Sequence, residues 1–109
     1  MKIEYFPFSE QFKVNMLLGN KTKTSRNKKY GNAGDTFKIF GETFTITEIK
    51  KEKLDVIKNK YYREEGFFSP IDFENIWIKL HPRKGWEPDK LVFVHSFKKG
   101  KINTGQRKL

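Results

Sequence analysis

The stretch Gly19-Asn20-Lys21-Thr22-Lys23-Thr24-Ser25-Arg26 gathers three hydroxyls and three cations without a single acid. A threonine hydroxyl is a poor nucleophile until a base removes its proton. A lysine can serve as that base when burial and neighbouring cations lower its pKa. Lys23 and Arg26 supply such cations, so Lys21 with Thr24 forms a chemically coherent pair able to attack an acyl carbon. In a regular strand Thr22, Thr24 and Arg26 share one face and Lys21, Lys23 and Ser25 the other. Lys21 therefore meets Thr24 only if the chain turns between them. The same residues also fit a β-branched strand start beside solvated lysines.

The setting of this stretch is strongly positive. The 109 residues hold 23 Lys and Arg against 13 Asp and Glu, a formal charge of +10. Such a balance favours polyanions through phosphate contacts and counterion release, although a general richness in lysine gives the same sum. The distribution is uneven. Asn20 to Gly34 carries Lys21, Lys23, Arg26, Lys28 and Lys29 and no acid, and Lys98 to Leu109 carries five more basic residues and no acid. The first segment can hold phosphates, and Tyr30 within it can stack on a base. Trp86 in the Gly-Pro loop, flanked by Lys84 and Arg83, is a second stacking candidate, since aromatic platforms beside cations suit single-stranded nucleic acid. Each ring also fits a structural role, Tyr30 as a turn anchor and Trp86 as a lid on the core.

Other chemistries are excluded by composition. With no cysteine there is no disulfide framework, thiol nucleophile or thiolate zinc site, and the two histidines, His81 and His95, read as structural. No metal and no cofactor is expected. No run approaches the roughly 18 apolar residues of a membrane span. Glu4 and Glu10 interrupt the N-terminus where a signal peptide needs an apolar stretch. The expectation is a cytoplasmic protein with no membrane partner.

The elements that must position these residues are those of one domain. Only 36 % of the chain is hydrophobic, but 11 Phe, 4 Tyr and 2 Trp supply large rings for a core. Ser9 as N-cap, Phe12, Met16 and Leu17 at helical spacing and Gly19 at the end predict a helix over residues 10–18. DTFKIF and TFTITEI alternate around Gly41-Glu42 and predict an antiparallel hairpin. Residues 54–65 predict a second helix ending at Gly66, and Ser69-Pro70 opens a third, closed by Pro82. Trp77 falls with Phe73 and Leu80 on the core face of that helix. KLVFVHSF predicts a buried closing strand. The whole is α+β, a small, partly open β-barrel with peripheral helices over residues 1–98, followed by a basic, frayed tail over residues 99–109.

The ordered pieces LLGNKTKTSR, Gly34-Asp35-Thr36-Phe37, TFTITEI, YYREEGFFSPIDFENIWIKLHP and VFVHSF resemble an ASCH domain, of the PUA-like superfamily, from about Ile3 to Phe97. The resemblance implies a small β-barrel with helices around a cleft suited to RNA or modified nucleosides. Some small bacterial ASCH enzymes are amidohydrolases that remove the acetyl group of N4-acetylcytidine, using the lysine and threonine of a G-x-K-T-x-T-x-R motif and a downstream glutamate. The matching positions are Lys21, Thr24 and Glu65, with Glu64 the alternative carboxylate. In that role Thr24 attacks the acetyl carbonyl after Lys21 takes its proton, Glu65 orients or protonates, and Arg26 steadies the oxyanion. Glu65 beside Lys21 would raise the lysine pKa, against burial and the Lys23 and Arg26 charges. The long EEGFFSPIDFENIWIKLHP segment and the basic tail depart from those compact enzymes.

Two uses of the same cleft follow. In one, Lys21, Thr24, Arg26 and Glu65 recognise RNA or a modified nucleoside while Lys23, Lys28, Lys29, Tyr30, Lys84 and Trp86 hold backbone and bases. In the other, the first four form a reaction centre for an acylated base. A protein-interaction module using the aromatic surface against an acidic partner is the third option.

Overall fold

The computed structural model describes residues 1–100. A 3-10 turn, Glu10–Phe12, runs into helix α1, Lys13–Leu18, which Gly19 ends in the left-handed conformation at φ 83°. Strand β1 is Lys23–Arg26, β2 Thr36–Ile39 and β3 Glu42–Lys53. Helices α2, Leu54–Lys60, and α3, Pro70–Leu80, follow, and β4, Leu91–Lys99, closes the sheet. The four strands pair antiparallel in the order β1-β4-β3-β2, and Lys2 adds an isolated parallel bridge to Thr36 of β2. Sheet and helices together make an α+β fold in which the four antiparallel strands form a half-barrel, the partly open barrel expected from the sequence.

Local chemistry explains most boundaries. Ile39 pairs with Glu42, so the β2–β3 loop is Phe40-Gly41, one residue earlier than the Gly41-Glu42 turn expected from the pattern. Both loop residues have positive φ, 56° and 79°, as a tight hairpin turn that follows the strand twist requires. Ser69 caps α3 by accepting the Asp72 N–H at 3.3 Å, and Pro70 sits at its first turn. The second helix is shorter than the expected span of 54–65. It stops at Lys60, and residues 61–66 form consecutive turns ending at Gly66, φ 101°. This early stop matters, because those turns bring Glu65 to β1. β4 is longer than expected: Lys98 pairs with Thr45 and Lys99 with Phe44, so Lys99, the first residue of the anticipated tail, belongs to the sheet. The rest of that tail, residues 101–109, lies outside the described residues.

Two cores lie on opposite faces of the sheet. Phe6, Met16, Phe37, Phe44, Ile46 and Phe97 form one, with Phe97 edge-on to both Phe37 and Phe44 at 5.7 Å. Leu54, Ile57, Phe73, Trp77, Val92 and Val94 form the other. The alternation of β4 feeds both, Val92 and Val94 to one side and His95 and Phe97 towards the other. On β3 the register shifts between Ile46 and Glu48. The extra residue returns Ile49 to the face of Ile46, which strict alternation would deny it. Among the described residues no helix is long and apolar enough to cross a membrane.

Candidate functional site

The site is built from the start of β1 outwards. After Gly19 the N–H groups of Asn20 and Lys21 both bond to the Asn15 carbonyl, and those of Thr22 and Lys23 both bond to the Glu64 carbonyl. The approach to β1 is thereby stitched to the turns over residues 61–66. Lys21 is 2 % exposed and Glu65 3 %. The Lys21 Nζ donates to the carbonyls of Lys23 (2.8 Å) and Glu65 (2.7 Å), lies 3.7 Å from Glu65 Oε1 and sits 4.5 Å from the centre of the Phe12 ring. The other carboxylate oxygen, Oε2, accepts from Ser25 Oγ at 2.6 Å. Glu65 is therefore the enclosed carboxylate, while the Glu64 side chain is exposed.

Burial lowers the Lys21 pKa from 10.5 to about 8. Glu65 opposes that shift and Arg26 adds to it. Of the opposing influences anticipated from the sequence, desolvation wins. Proximity of a cation alone would be a weak cause, since removing water from an ammonium in a closed site costs more than an exposed neighbour contributes.

Arg26 leaves β1 on the other side of the same space. Its guanidinium carbon lies 4.7 Å from the Phe8 ring centre, 4.9 Å from Phe6 and 5.6 Å from Tyr30. Its Nη2 donates to the Pro7 carbonyl at 2.7 Å and its Nε to Thr24 Oγ1 at 3.2 Å. The Thr24 hydroxyl is thus oriented by arginine. The Tyr30 loop is tethered from behind by His95, which is wholly buried. The Tyr30 N–H donates to His95 Nε2 at 2.9 Å, which places the ring proton on Nδ1, 3.3 Å from the Thr24 carbonyl. Burial lowers the His95 pKa to about 4, the Thr24 backbone contact opposing and Arg26 assisting.

These groups open onto one cavity of about 520 Å³. Its polar lining includes Lys21, Thr24, Ser25, Arg26, Lys28 and Glu65, and its apolar walls include Phe8, Phe12, Tyr30, Phe67, Phe73 and Trp77. Trp77 stacks on His81 at 4.0 Å and 20°, so the far wall presents a fixed pair of rings. The volume lies within the usual range for small-ligand sites, roughly 300–1,000 Å³. Among the described residues no group of three or more His, Asp or Glu side chains converges as metal ligands.

Six of the residues singled out in the sequence, Lys21, Thr24, Arg26, Lys28, Tyr30 and Glu65, line this cavity. Four others point elsewhere. Lys23 Nζ donates to Ser96 Oγ at 2.8 Å and lies over Tyr61. Lys29 donates to Asn32 Oδ1. Trp86 packs on the second core, edge-on to Phe73 at 6.2 Å and under Lys58, and Lys84 is exposed beside it. Trp86 is a lid on the core, the structural alternative weighed for it. The residue missed in the sequence is Ser25, because alternation sets it on the opposite face from Thr24. Trp77 was assigned to the core alone, and it both fills the core and walls the cavity.

No protein-family model matches the sequence, and no curated protein does. Solved structures match the fold. The ASCH domain from Lactobacillus crispatus aligns over 90 % of this chain and 78 % of its own, with a TM-score of 0.72 at 14 % identity. The hypothetical protein PH0355 aligns over 92 % of this chain and all of its own, with a TM-score of 0.71 at 14 % identity. The Pyrococcus furiosus protein PF0455 aligns over 94 % of this chain and all of its own, with a TM-score of 0.66 at 14 % identity. The chain has the ASCH-domain fold, as its motifs suggested.

Proposed function

We propose that the cavity binds a nucleobase, presented by RNA or by a modified nucleoside. The observation that carries this reading is the pairing of flat aromatic walls with a short row of fixed polar groups. Phe12, Phe67, Phe73 and Trp77 offer surfaces on which a planar heterocycle stacks, and base–aromatic stacking contributes about 1–3 kcal/mol per base. Thr24, Ser25 and Glu65 offer donors and acceptors at the rim of that stack, suited to the polar edge of a base. The basic surface supports an anionic carrier for it.

Recognition fits the hydrogen bonding better than acyl transfer does. Although burial lowers its pKa to about 8, the Lys21 Nζ is committed to two protein carbonyls at 2.7 and 2.8 Å and to Glu65 Oε1 at 3.7 Å, and none of these partners is the Thr24 hydroxyl that a base must reach. The Thr24 hydroxyl is held by Arg26.

The test is a calorimetric titration with short single-stranded RNAs of mixed sequence, cytidine and N4-acetylcytidine, against the wild type and Trp77→Phe. Binding to at least one ligand, weakened in the variant, supports the proposal. Absence of binding to all of them refutes it. Chromatography of the N4-acetylcytidine sample reads the other use directly: release of cytidine that Thr24→Ala abolishes would replace recognition by amide hydrolysis.

A further inference from the structure

We infer that the cavity is built for a phosphorylated nucleoside, with the base against the aromatic walls and the phosphate on Arg26 and Lys28 at the rim. This inference rests on the base-binding reading above and adds what must be attached to the base.

The argument begins from charge. Of the cations lining the cavity, Lys21 has its own counter-ion, Glu65, at 3.7 Å. Among the described residues neither Arg26 nor Lys28 has a carboxylate within 4.0 Å; Glu65, already paired with Lys21, acts on Arg26 only at longer range, so neither rim cation has a direct ion-pair partner. Arg26 is also half-buried, and a partly desolvated guanidinium without an anion is costly to hold. An anionic ligand group would relieve that cost.

Geometry then favours phosphate. A guanidinium has five N–H donors. One on Nε is used by Thr24 and one on Nη2 by the Pro7 carbonyl, which leaves three. The rings of Phe6, Phe8 and Tyr30 surround the group and restrict its rotamers, so little entropy is lost when an anion docks. Lys28 Nζ lies 5.3 Å from the centre of the same Tyr30 ring. A fixed, forked donor and a long, exposed ammonium thus share one ring at the mouth, which suits an oxyanion contacted on two sides. A free nucleoside would leave both cations unanswered.

The experiment compares nucleosides, their 5′- and 3′-monophosphates and inorganic phosphate by calorimetry, at low salt and at about 0.15 M ionic strength. The expected result is a monophosphate bound about tenfold or more tighter than its own nucleoside. That ratio should narrow at the higher salt, and it should narrow in both Lys28→Ala and Arg26→Lys. Because Lys28 is exposed, its variant tests the phosphate contact without a burden on folding. Equal affinity for nucleoside and nucleotide overturns the inference and leaves base binding standing. Inorganic phosphate that binds as tightly as the nucleotide also overturns it, since the anion would then not be tied to a base. Failure of nucleosides, nucleotides and RNA alike removes the base-binding reading and this one with it.

Discussion

Lys21 should make the fold more stable in alkali, which most lysines do not. Burial holds its folded-state pKa at about 8 against 10.5 for a free lysine. Between those values the unfolded chain retains a proton that the folded chain has released. The unfolded state then binds more protons, and stability rises with pH. Each pKa unit is worth about 1.4 kcal/mol, so the gain from pH 7 to pH 10 is about 2 kcal/mol from this one side chain. The side chain is 2 % exposed, so solvent screening takes little from that figure.

The control must remove the titration without stranding a charge. Lys21→Met alone leaves Glu65 buried without its cation, a loss of about 3–5 kcal/mol. The double variant Lys21→Met, Glu65→Gln removes both charges and retains volume, and a glutamine oxygen still accepts from Ser25. Urea unfolding followed by circular dichroism at pH 7, 8, 9 and 10 gives the stability of each protein. All side chains but those of Lys21 and Glu65 are common to both proteins, so the difference between the two curves isolates the pair. Wild type should gain about 2 kcal/mol on the double variant across this range. Parallel curves would refute the claim that the Lys21 ammonium is desolvated in the folded protein.

His95 predicts the opposite limb. Its folded pKa of about 4 lies below the ordinary 6.5, so the stability it contributes is present above pH 6.5 and is lost as pH falls towards 4. Since Nε2 must be unprotonated to accept from Tyr30, His95→Gln should flatten the decline in the urea midpoint between pH 7 and pH 5, and an unaltered decline would remove His95 as its source. At Gly66 a Cβ would lie 3.3 Å from Lys21 Cβ with φ at 101°, whereas at Gly34 φ is 94° with open space around the site. Gly66→Ala should therefore cost about 1–3 kcal/mol for the backbone and more than Gly34→Ala through packing, both read from urea midpoints. Equal losses would show that Gly66 serves conformation alone.

Much of this arrangement was legible in the sequence where the signal was local. The Gly19 stop, the Ser69-Pro70 start of α3, the alternation of β2 and the start of β3, and the apolar run of β4 depend on neighbours within a few residues, and the structure reproduces them. The placement of Glu65 was not legible from periodicity, because a helix over 54–65 reads as well as one that stops at Lys60 and turns. What selects the turns is tertiary: the Glu64 carbonyl accepts the N–H groups of Thr22 and Lys23, more than forty residues away in sequence. Trp86 lies away from the cavity for a related reason. A Gly-Pro loop with flanking cations looks open in sequence, but its ring packs against a core whose members come from α2, α3 and β4.

The alternation that separated Thr24 from Ser25 holds, yet both side chains reach the cavity, and the reason lies in sheet order. Among the described residues β1 pairs only with β4 and forms one edge of the sheet. Thr24 opposes His95 on the side of the first core, and Ser25 opposes Val94 on the side of the second. A ligand space that wraps around an edge strand can collect residues from both faces, which a central strand forbids. Phe8 and Tyr30 then belong to one side of the cavity, and Phe73 and Trp77 to the other. Lys21 completes the device by donating to the Lys23 carbonyl, which occupies a backbone group of β1. The buried Lys21–Glu65 pair thus joins the edge of the sheet to the turns that precede α3. A ligand seated in the cavity would bridge the two cores at the same place.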